Sequence, residues 1–379
     1  MPIARALIVG GGISGLATAA GLARAGISCE VVERTERWEP VGAGIVLGVN
    51  AMSVMRRLGI AEDIAKRGAT LGRGVITDRR GRELGSTDFE LLRPDFGPTI
   101  ALHRAELHEG LLEAAGSASI SLGTSVEKIS AHDDRVDVLL TDGREERFDL
   151  VIGADGLRSR VRELVFADVP LEYSGYTCWR LIVKSPVAKV EMCEMWGRGQ
   201  RFGIVPIGDS QIYCFAVANA PLGQADPSEG RIDRFRARFA GFGGQVPEIL
   251  AALDHPAELI HNDLEEVPGG AWVEGRVVLI GDAAHAMTPN MGQGAAMGLE
   301  DSAVLVELLS KGGELQDLLA QWAARREPRV RWVQNQSRRI GRVGQLEGAL
   351  ACRVRNTLVR LTPDRVAAGA LRKIASQPI

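Results

Sequence analysis

Residues 4–15 read Ala-Arg-Ala-Leu-Ile-Val-Gly-Gly-Gly-Ile-Ser-Gly. An apolar run that ends in glycines is the pattern of a buried parallel strand. Ser14 to Ala25 is small, alanine-rich and helix-prone, and Ser28 to Glu33 (Ser-Cys-Glu-Val-Val-Glu) is a second β-branched strand. Strand, helix and strand at this length make a parallel β-α-β unit, so the fold class is α/β at its start. Gly10-Gly11-Gly12-Ile13-Ser14-Gly15 fits G-x-G-x-x-G in the required place, after a strand and opening a helix. Gly10 permits the tight turn, Gly12 lets backbone approach a pyrophosphate, and Gly15 allows close helix–strand packing. The N–H groups of Ile13 and Ser14 lie in the helix's first turn, where free donors and dipole favour phosphate. Glu33 closes the second strand, where a carboxylate accepts hydrogen bonds from ribose hydroxyls. This fingerprint implies a dinucleotide and does not separate FAD from NAD.

Further along, residues 50–66 and 104–116 read as helices, and 119–151 as a strand followed by a meander turning at Asp142-Gly143. Val151–Gly156 ends a buried strand. From about 166 to 270 strand-like runs alternate with turn residues, interrupted by one helix near 228–241, which implies a mainly β second domain. Residues 276–281 form another buried strand, and a long helix is expected from about 292. From 318 the chain is helical and Arg-rich. The expected division is a discontinuous Rossmann-like domain (1–75, 98–165, 270–318), an inserted β domain (76–97, 166–269) and C-terminal helices (319–379). Overall this is α+β. The basic stretch Arg325 to Arg342 reads as a solvated amphipathic helix packed on the first domain.

The bulk numbers remove several function classes. The chain has 379 residues and a net charge of -3, so no basic surface points to nucleic acid. Five cysteines are scattered with no Cys-x-x-Cys pair, and the six histidines have no metal spacing, so neither a disulfide framework nor a metal site is expected. No apolar run reaches the roughly 20 residues of a membrane span. The start is too glycine-broken for a secretory leader, so a soluble, cytoplasmic protein is expected.

Two later motifs bear on the cofactor. The first is Gly153-Ala154-Asp155-Gly156 with Ser159 and Arg162. The second is Gly281-Asp282-Ala283-Ala284-His285, followed by Pro289 and Gly292-Gln293-Gly294-Ala295. Asp282 ends a buried strand, where ligands collect in α/β sheets and a carboxylate can accept from a ribityl hydroxyl. A helix starting near Gly292 would turn its N–H groups and dipole toward a flavin's pyrimidine edge. With the fingerprint, these motifs resemble the three signatures of the class A flavoprotein monooxygenases, the p-hydroxybenzoate hydroxylase fold. Glu33-Arg34 leading to Gly42-Ala43-Gly44-Ile45, and Arg104 in Leu-His-Arg-Ala-Glu-Leu, agree with it, and the likeness runs from residue 3 to about 345.

The resemblance implies tightly but non-covalently bound FAD. Its ligands would be Gly10, Gly12, Ile13, Ser14, Gly15, Glu33, Arg34, Gly44, Arg104, Asp155, Asp282, Gly292, Gly294 and Ala295. NADH or NADPH would be a transient reductant with no Rossmann domain of its own. Molecular oxygen would be activated as a flavin C4a-hydroperoxide, and an aromatic, heteroaromatic or polycyclic small molecule would be hydroxylated. The segment Trp196-Gly197-Arg198-Gly199-Gln200-Arg201-Phe202, then Pro206 and Tyr213, resembles the subgroup of urate hydroxylase, salicylate hydroxylase and zeaxanthin epoxidase. By that likeness Tyr213 orients substrate, Arg201 offsets developing negative charge, and Pro289 lines the flavin face. His285 reads as structural. One position departs. Urate hydroxylase has an acid directly after the proline, and here it is Asn290, a neutral amide that cannot act as a base. Epoxidation of an isoprenoid or polyketide-type substrate, and a non-catalytic flavoprotein sensor, stay open as alternatives. So does the choice between monomer and homodimer.

Overall fold

The computed structural model describes residues 3–38, 43–167, 169–186, 190–255, 259–362, 369 and 372–376. Gly42 and parts of the C-terminal tail lie outside them. β1 (Arg5–Val9), α1 (Ile13–Arg24) and β2 (Ser28–Glu33) form the expected parallel unit. β3 (Gly44–Leu47), α2 (Val49–Leu58) and α3 (Arg104–Ala115) follow. The helix expected over 50–66 is two helices, because Gly59 takes φ +77° and ends α2 with a left-handed cap. β4 (Leu150–Gly153) returns parallel to β1, and Ser159 caps the short α4 (Arg160–Val165).

The second domain is built on β5 (Glu172–Lys184), β6 (Met192–Trp196), β7 (Gln200–Gly208), β8 (Gln211–Asn219) and β9 (Ile260–Glu266). The chain then re-enters the first sheet at β10 (Val277–Leu279), parallel to β4. It ends in α5 (Gly294–Lys311), α6 (Leu315–Gly344) and α7 (Ala349–Leu361). Across the first sheet, β1 lies between β2 and β4, with β10 beyond β4. Ala6, Leu7 and Ile8 have no exposed surface, as a strand covered on both faces requires. α1 packs against α3 and α5 on one side of this sheet.

The second sheet has seven strands, and Met192–Trp196 pairs in parallel with Arg73–Asp78. The expected boundary at residue 76 therefore falls inside a strand. Strand alternation splits this sheet into two faces. Trp179, Leu181, Phe202, Ile204, Ile212 and Cys214 pack with the helices Arg231–Phe239 and Val246–Ala251 in one apolar core. The alternate residues, including Tyr176, Arg180, Arg201, Tyr213 and Phe215, face the first domain. That orientation places the candidate site between the two sheets.

α6 corrects the reading of the basic tail. It is amphipathic and packed on the first domain, but two of its arginines are not solvated: Arg326 is 1% and Arg329 7% exposed. Arg326 donates to Glu300 (2.6 Å) and Asp301 (2.8 Å) of α5, and Arg329 donates to Glu300 as well. The charge pattern of α6 was visible in the sequence, but the acidic partners sit on another helix.

Candidate functional site

At the nucleotide end, Gly10 has φ +108°, and a Cβ there would meet the Ala154 carbonyl oxygen at 2.5 Å. Gly15 packs on the Gly10 carbonyl with no room for a side chain. Gly12 heads α1, and no heavy atom lies within 4 Å of where its Cβ would be. The first turn of α1, containing Ile13 and Ser14, thus presents N–H groups beside open space. The Ser14 hydroxyl itself is wedged against Gly281 and Gly298, so Ser14 faces a ligand with backbone, not side chain. Glu33 accepts from the N–H of Gly11 (2.8 Å) and of Thr35 (3.0 Å), which fixes its carboxylate beside the loop. Arg34 and Arg104 are exposed, and Arg104 ties the start of α3 to Ala43 through its N–H (2.9 Å).

Two residues here carried no motif. His108 sets Nε2 2.9 Å from the Gly11 carbonyl, and Trp38 lies edge-on to His108 (4.7 Å between centroids) and against Gly11. Asp155 turns its carboxylate onto its own loop and helix. Its carboxylate accepts from Ser159 Oγ (2.5 Å) and from the N–H of Arg160 (2.6 Å) and Val161 (3.1 Å), so it caps α4. Buried Arg162 donates to the carbonyls of Ala283 and Leu157 (both 2.7 Å) and so locks this loop to the Asp282 motif.

At the flavin end, β10 leads through Gly281 to Asp282. The Asp282 side chain is exposed and takes no hydrogen bond from any described residue; its Oδ1 points to within 4.0 Å of the Gly294 Cβ position. Pro289 and Gly292 are exposed, and nothing lies within 4 Å of a Cβ at Gly292. Gly294 and Ala295 open α5 half-buried, with their N–H groups in its first turn. A free carboxylate, a helix N-terminus and glycines with space around them fit FAD, whose ribityl hydroxyls donate and whose reduced ring is anionic.

Behind this end runs a buried charge cluster. Glu300 and Asp301 are both 0% exposed. Glu300 accepts from Arg326, Arg329 and Asn50 Nδ2 (2.7 Å), and Asn50 also donates to Gln293, the residue capping α5 (2.9 Å). Asp301 accepts from the Gly281 N–H (2.9 Å) and pairs with His285 Nε2 (2.6 Å). His285 is therefore a strut, as expected.

Burial by itself would raise the Asp301 carboxyl, but His285 and Arg326 outweigh it and hold it at about 2. A depressed folded-state value means that its stabilising effect is complete above about pH 4. The effect is lost as pH falls through about 2. Asp301→Asn should therefore lower stability at neutral pH and flatten the loss of stability between about pH 4 and 2. Denaturant midpoints measured across that range check this. Parallel curves for variant and wild type would remove Asp301 from the acid response.

On the facing sheet, Arg201 is buried, at 2% exposed, and is held on three sides. Its Nε donates to Gln345 (2.9 Å), one Nη to Glu194 (3.0 Å) and the other to Asn290 Oδ1 (2.6 Å). Asn290 in turn donates to the Tyr176 hydroxyl and the Ser337 carbonyl (both 2.9 Å). The structure thus brings Arg201 and the Pro289–Asn290 turn together, but through Asn290. Tyr213 stands apart from Arg201 on β8. It is half-buried, packs on Gly44 so closely that no Cβ would fit there, and receives a hydrogen bond from Arg180. Burial pushes its phenol well up, Arg180 opposing, so Tyr213 is a donor at neutral pH. Tyr176, Arg180, Glu194 and Gln345 were missed by the sequence reading. They belong to no local motif and meet only by strand pairing and helix docking.

The sequence matches the family described as FAD binding domain over residues 4–337. It is 41% identical over 377 residues to the aurachin C monooxygenase/isomerase of Stigmatella aurantiaca, covering 98% of each chain. It is 39% identical over 361 residues to the 2-heptyl-3-hydroxy-4(1H)-quinolone synthase of Pseudomonas aeruginosa, covering 94% of each. Among solved structures, Klebsiella pneumoniae HpxO complexed with FAD and uric acid superposes with a TM-score of 0.91 at 28% identity, covering 99% of this chain and 97% of that one.

Proposed function

The chain belongs to the FAD-binding-domain family and is an FAD-dependent monooxygenase, and from that premise we propose that it hydroxylates a 4-quinolone ring bearing an apolar side chain, using NADH or NADPH. The observation that carries this reading is the chemical character of the sheet face around Tyr213. Ile182, Tyr213 and Phe215 are half-buried and pack together with half-buried Val46 of the neighbouring β3. This is an apolar, aromatic wall suited to a flat ring with a hydrocarbon substituent. The residue after Pro289 is Asn290, a neutral amide that cannot act as a base. Asn290 has its amide oxygen on Arg201 and its NH₂ on Tyr176 and Ser337. A urate-type substrate that must lose a proton finds no acceptor there.

Bound FAD, once reduced, supplies the activated oxygen. The protein's residues do the rest. The first turn of α5 favours the negative charge of the reduced ring. The apolar wall orients the substrate and keeps water away. The Tyr213 hydroxyl donates to the ring oxygen and so orients the ring.

Purified protein should be given 2-heptyl-4(1H)-quinolone, urate, salicylate or 6-hydroxynicotinate under isotopically labelled oxygen, with either nicotinamide cofactor. The expected product is the 3-hydroxyquinolone carrying one labelled oxygen, with cofactor oxidation stimulated by the quinolone above the other three. Preferential oxygenation of urate would overturn the substrate assignment. An epoxide or its rearranged product would keep the quinolone and replace hydroxylation.

A further inference from the structure

Two arginines project from the same face of the second sheet, and their surroundings differ. Arg201 is shut in: α6 passes over it at Gly344, whose Cβ position is 2.9 Å from Arg201 Cδ, and Glu194 balances its charge at 3.0 Å. With 2% exposure it has almost no surface to offer a substrate. Arg180 lies on β5 directly across from Phe215 of β8, and its diagonal neighbour on that strand is Tyr213. It is half-buried, and among the described residues no carboxylate pairs with it. Its contacts are neutral: the Asn262 amide oxygen (3.0 Å) and the Tyr213 hydroxyl. A guanidinium has five N–H donors, so this one keeps donors to spare.

We propose that Arg180 and Tyr213 form the pair that meets the substrate's ring oxygen, and that Arg201, neutralised by Glu194, serves to hold Asn290 in place. A half-desolvated cation with no carboxylate partner among the described residues is stabilised by an anion, such as an ionised ring oxygen. Hydroxylating an electron-rich ring draws density from its carbonyl or hydroxyl oxygen toward the reacting carbon, and ionisation of that oxygen promotes it. Arg180 supplies the positive charge and Tyr213 the hydrogen bond. Arg201 cannot add its charge without leaving Glu194 unpaired. The consequence is selectivity for a ring with one ionisable or carbonyl oxygen.

This assignment rests on the ring-hydroxylase reading but not on the quinolone. The test uses whichever of the four rings named above binds the wild-type holoenzyme, judged by perturbation of the flavin spectrum. The ultraviolet spectrum of the bound ring then reports its ionisation against pH. In the wild type the ring's apparent pKa should lie below its free value. Arg180→Met should raise it by about one unit or more and lower kcat/KM about a hundredfold, with FAD content unchanged. Arg180→Lys keeps the charge and should recover the ionisation while losing part of the rate, because the planar fork is gone. The double variant Glu194→Gln with Arg201→Gln removes both charges of the buried pair together, so neither is orphaned. It should leave the ring's ionisation at the wild-type value. Wild-type ionisation and rate in Arg180→Met, or loss of the ionisation shift in the double variant alone, would overturn the assignment. If only the quinolone fails to bind, the substrate reading falls and the pair is scored with another ring. Binding of none of the four overturns both.

Discussion

Asp282→Ala is expected to leave the protein largely without flavin after purification. The Asp282 carboxylate stands at the end of β10 with no donor from the described residues, beside Gly294 and the start of α5. An ionised acceptor of this kind makes a charge-assisted hydrogen bond worth about 1.5–3 kcal/mol. Its loss weakens FAD binding by roughly ten- to a hundredfold. Because the side chain has no hydrogen-bond partner among the described residues, the variant should fold normally. Circular dichroism and the denaturant midpoint of apoprotein should match wild type, while the FAD dissociation constant rises. Asp282→Asn, which keeps the shape and one acceptor, should fall between. Full flavin occupancy with wild-type affinity in Asp282→Ala would remove the residue from the site.

Glu300→Ala should be the most destabilising single change at this centre, and for the opposite reason. Glu300 has many partners and no exposure: Arg326, Arg329 and Asn50 all converge on its two oxygens. Removing it takes a buried carboxylate from Arg326 and Arg329 together and leaves Asp301 as the carboxylate on Arg326, in a site that water does not reach. Breaking a buried pair from one side costs about 3–5 kcal/mol. The damage should not stay local, since Asn50 also holds Gln293 at the head of α5. Reduced stability of apoprotein, together with weaker FAD binding, is the expected pair of results from urea unfolding and flavin titration. Glu300→Gln, which keeps the shape and one acceptor oxygen for the arginines, should cost less than Glu300→Ala. A Glu300→Ala protein as stable as wild type would mean that the arginines find other partners.

These two residues separate what the chain reveals by local pattern from what it does not. The place of Asp282 was legible because it lies in a contiguous motif after an apolar strand, and strand ends in parallel sheets are where ligands sit. The glycines of the fingerprint were legible for the same reason: the constraint on Gly10, Gly12 and Gly15 is one of backbone and close approach, written into neighbouring positions. Glu300 was not legible. Its arginine partners are on α6, 26 to 29 residues away, Asn50 is on α2, and its sequence neighbours say only that α5 is apolar on one side. The basic tail then read as solvated because charge is ordinarily exposed, and burial of Arg326 and Arg329 follows from helix docking alone.

The same division runs through the facing sheet. Arg201 and Tyr213 could be picked out by their resemblance to the urate hydroxylase subgroup, and both do face the first domain. Spacing could not tell which of them would be open. Whether an arginine is enclosed depends on what is packed over it. Here α6 with Gln345 closes over Arg201, and Glu194 from β6 cancels its charge. Arg180 gave no signal at all, since a single arginine in a strand is ordinary.

What this sequence determined by itself is the α/β architecture, the glycine-rich turn after β1, the motif that carries Asp282 and the neutral residue at Asn290. These are set by short-range periodicity, by glycine sterics and by residue chemistry. Only the tertiary structure decided which charges are paired and which cation keeps a free face. Charge pairing and desolvation are properties of distant segments brought together, and their energies depend on burial that no local stretch contains.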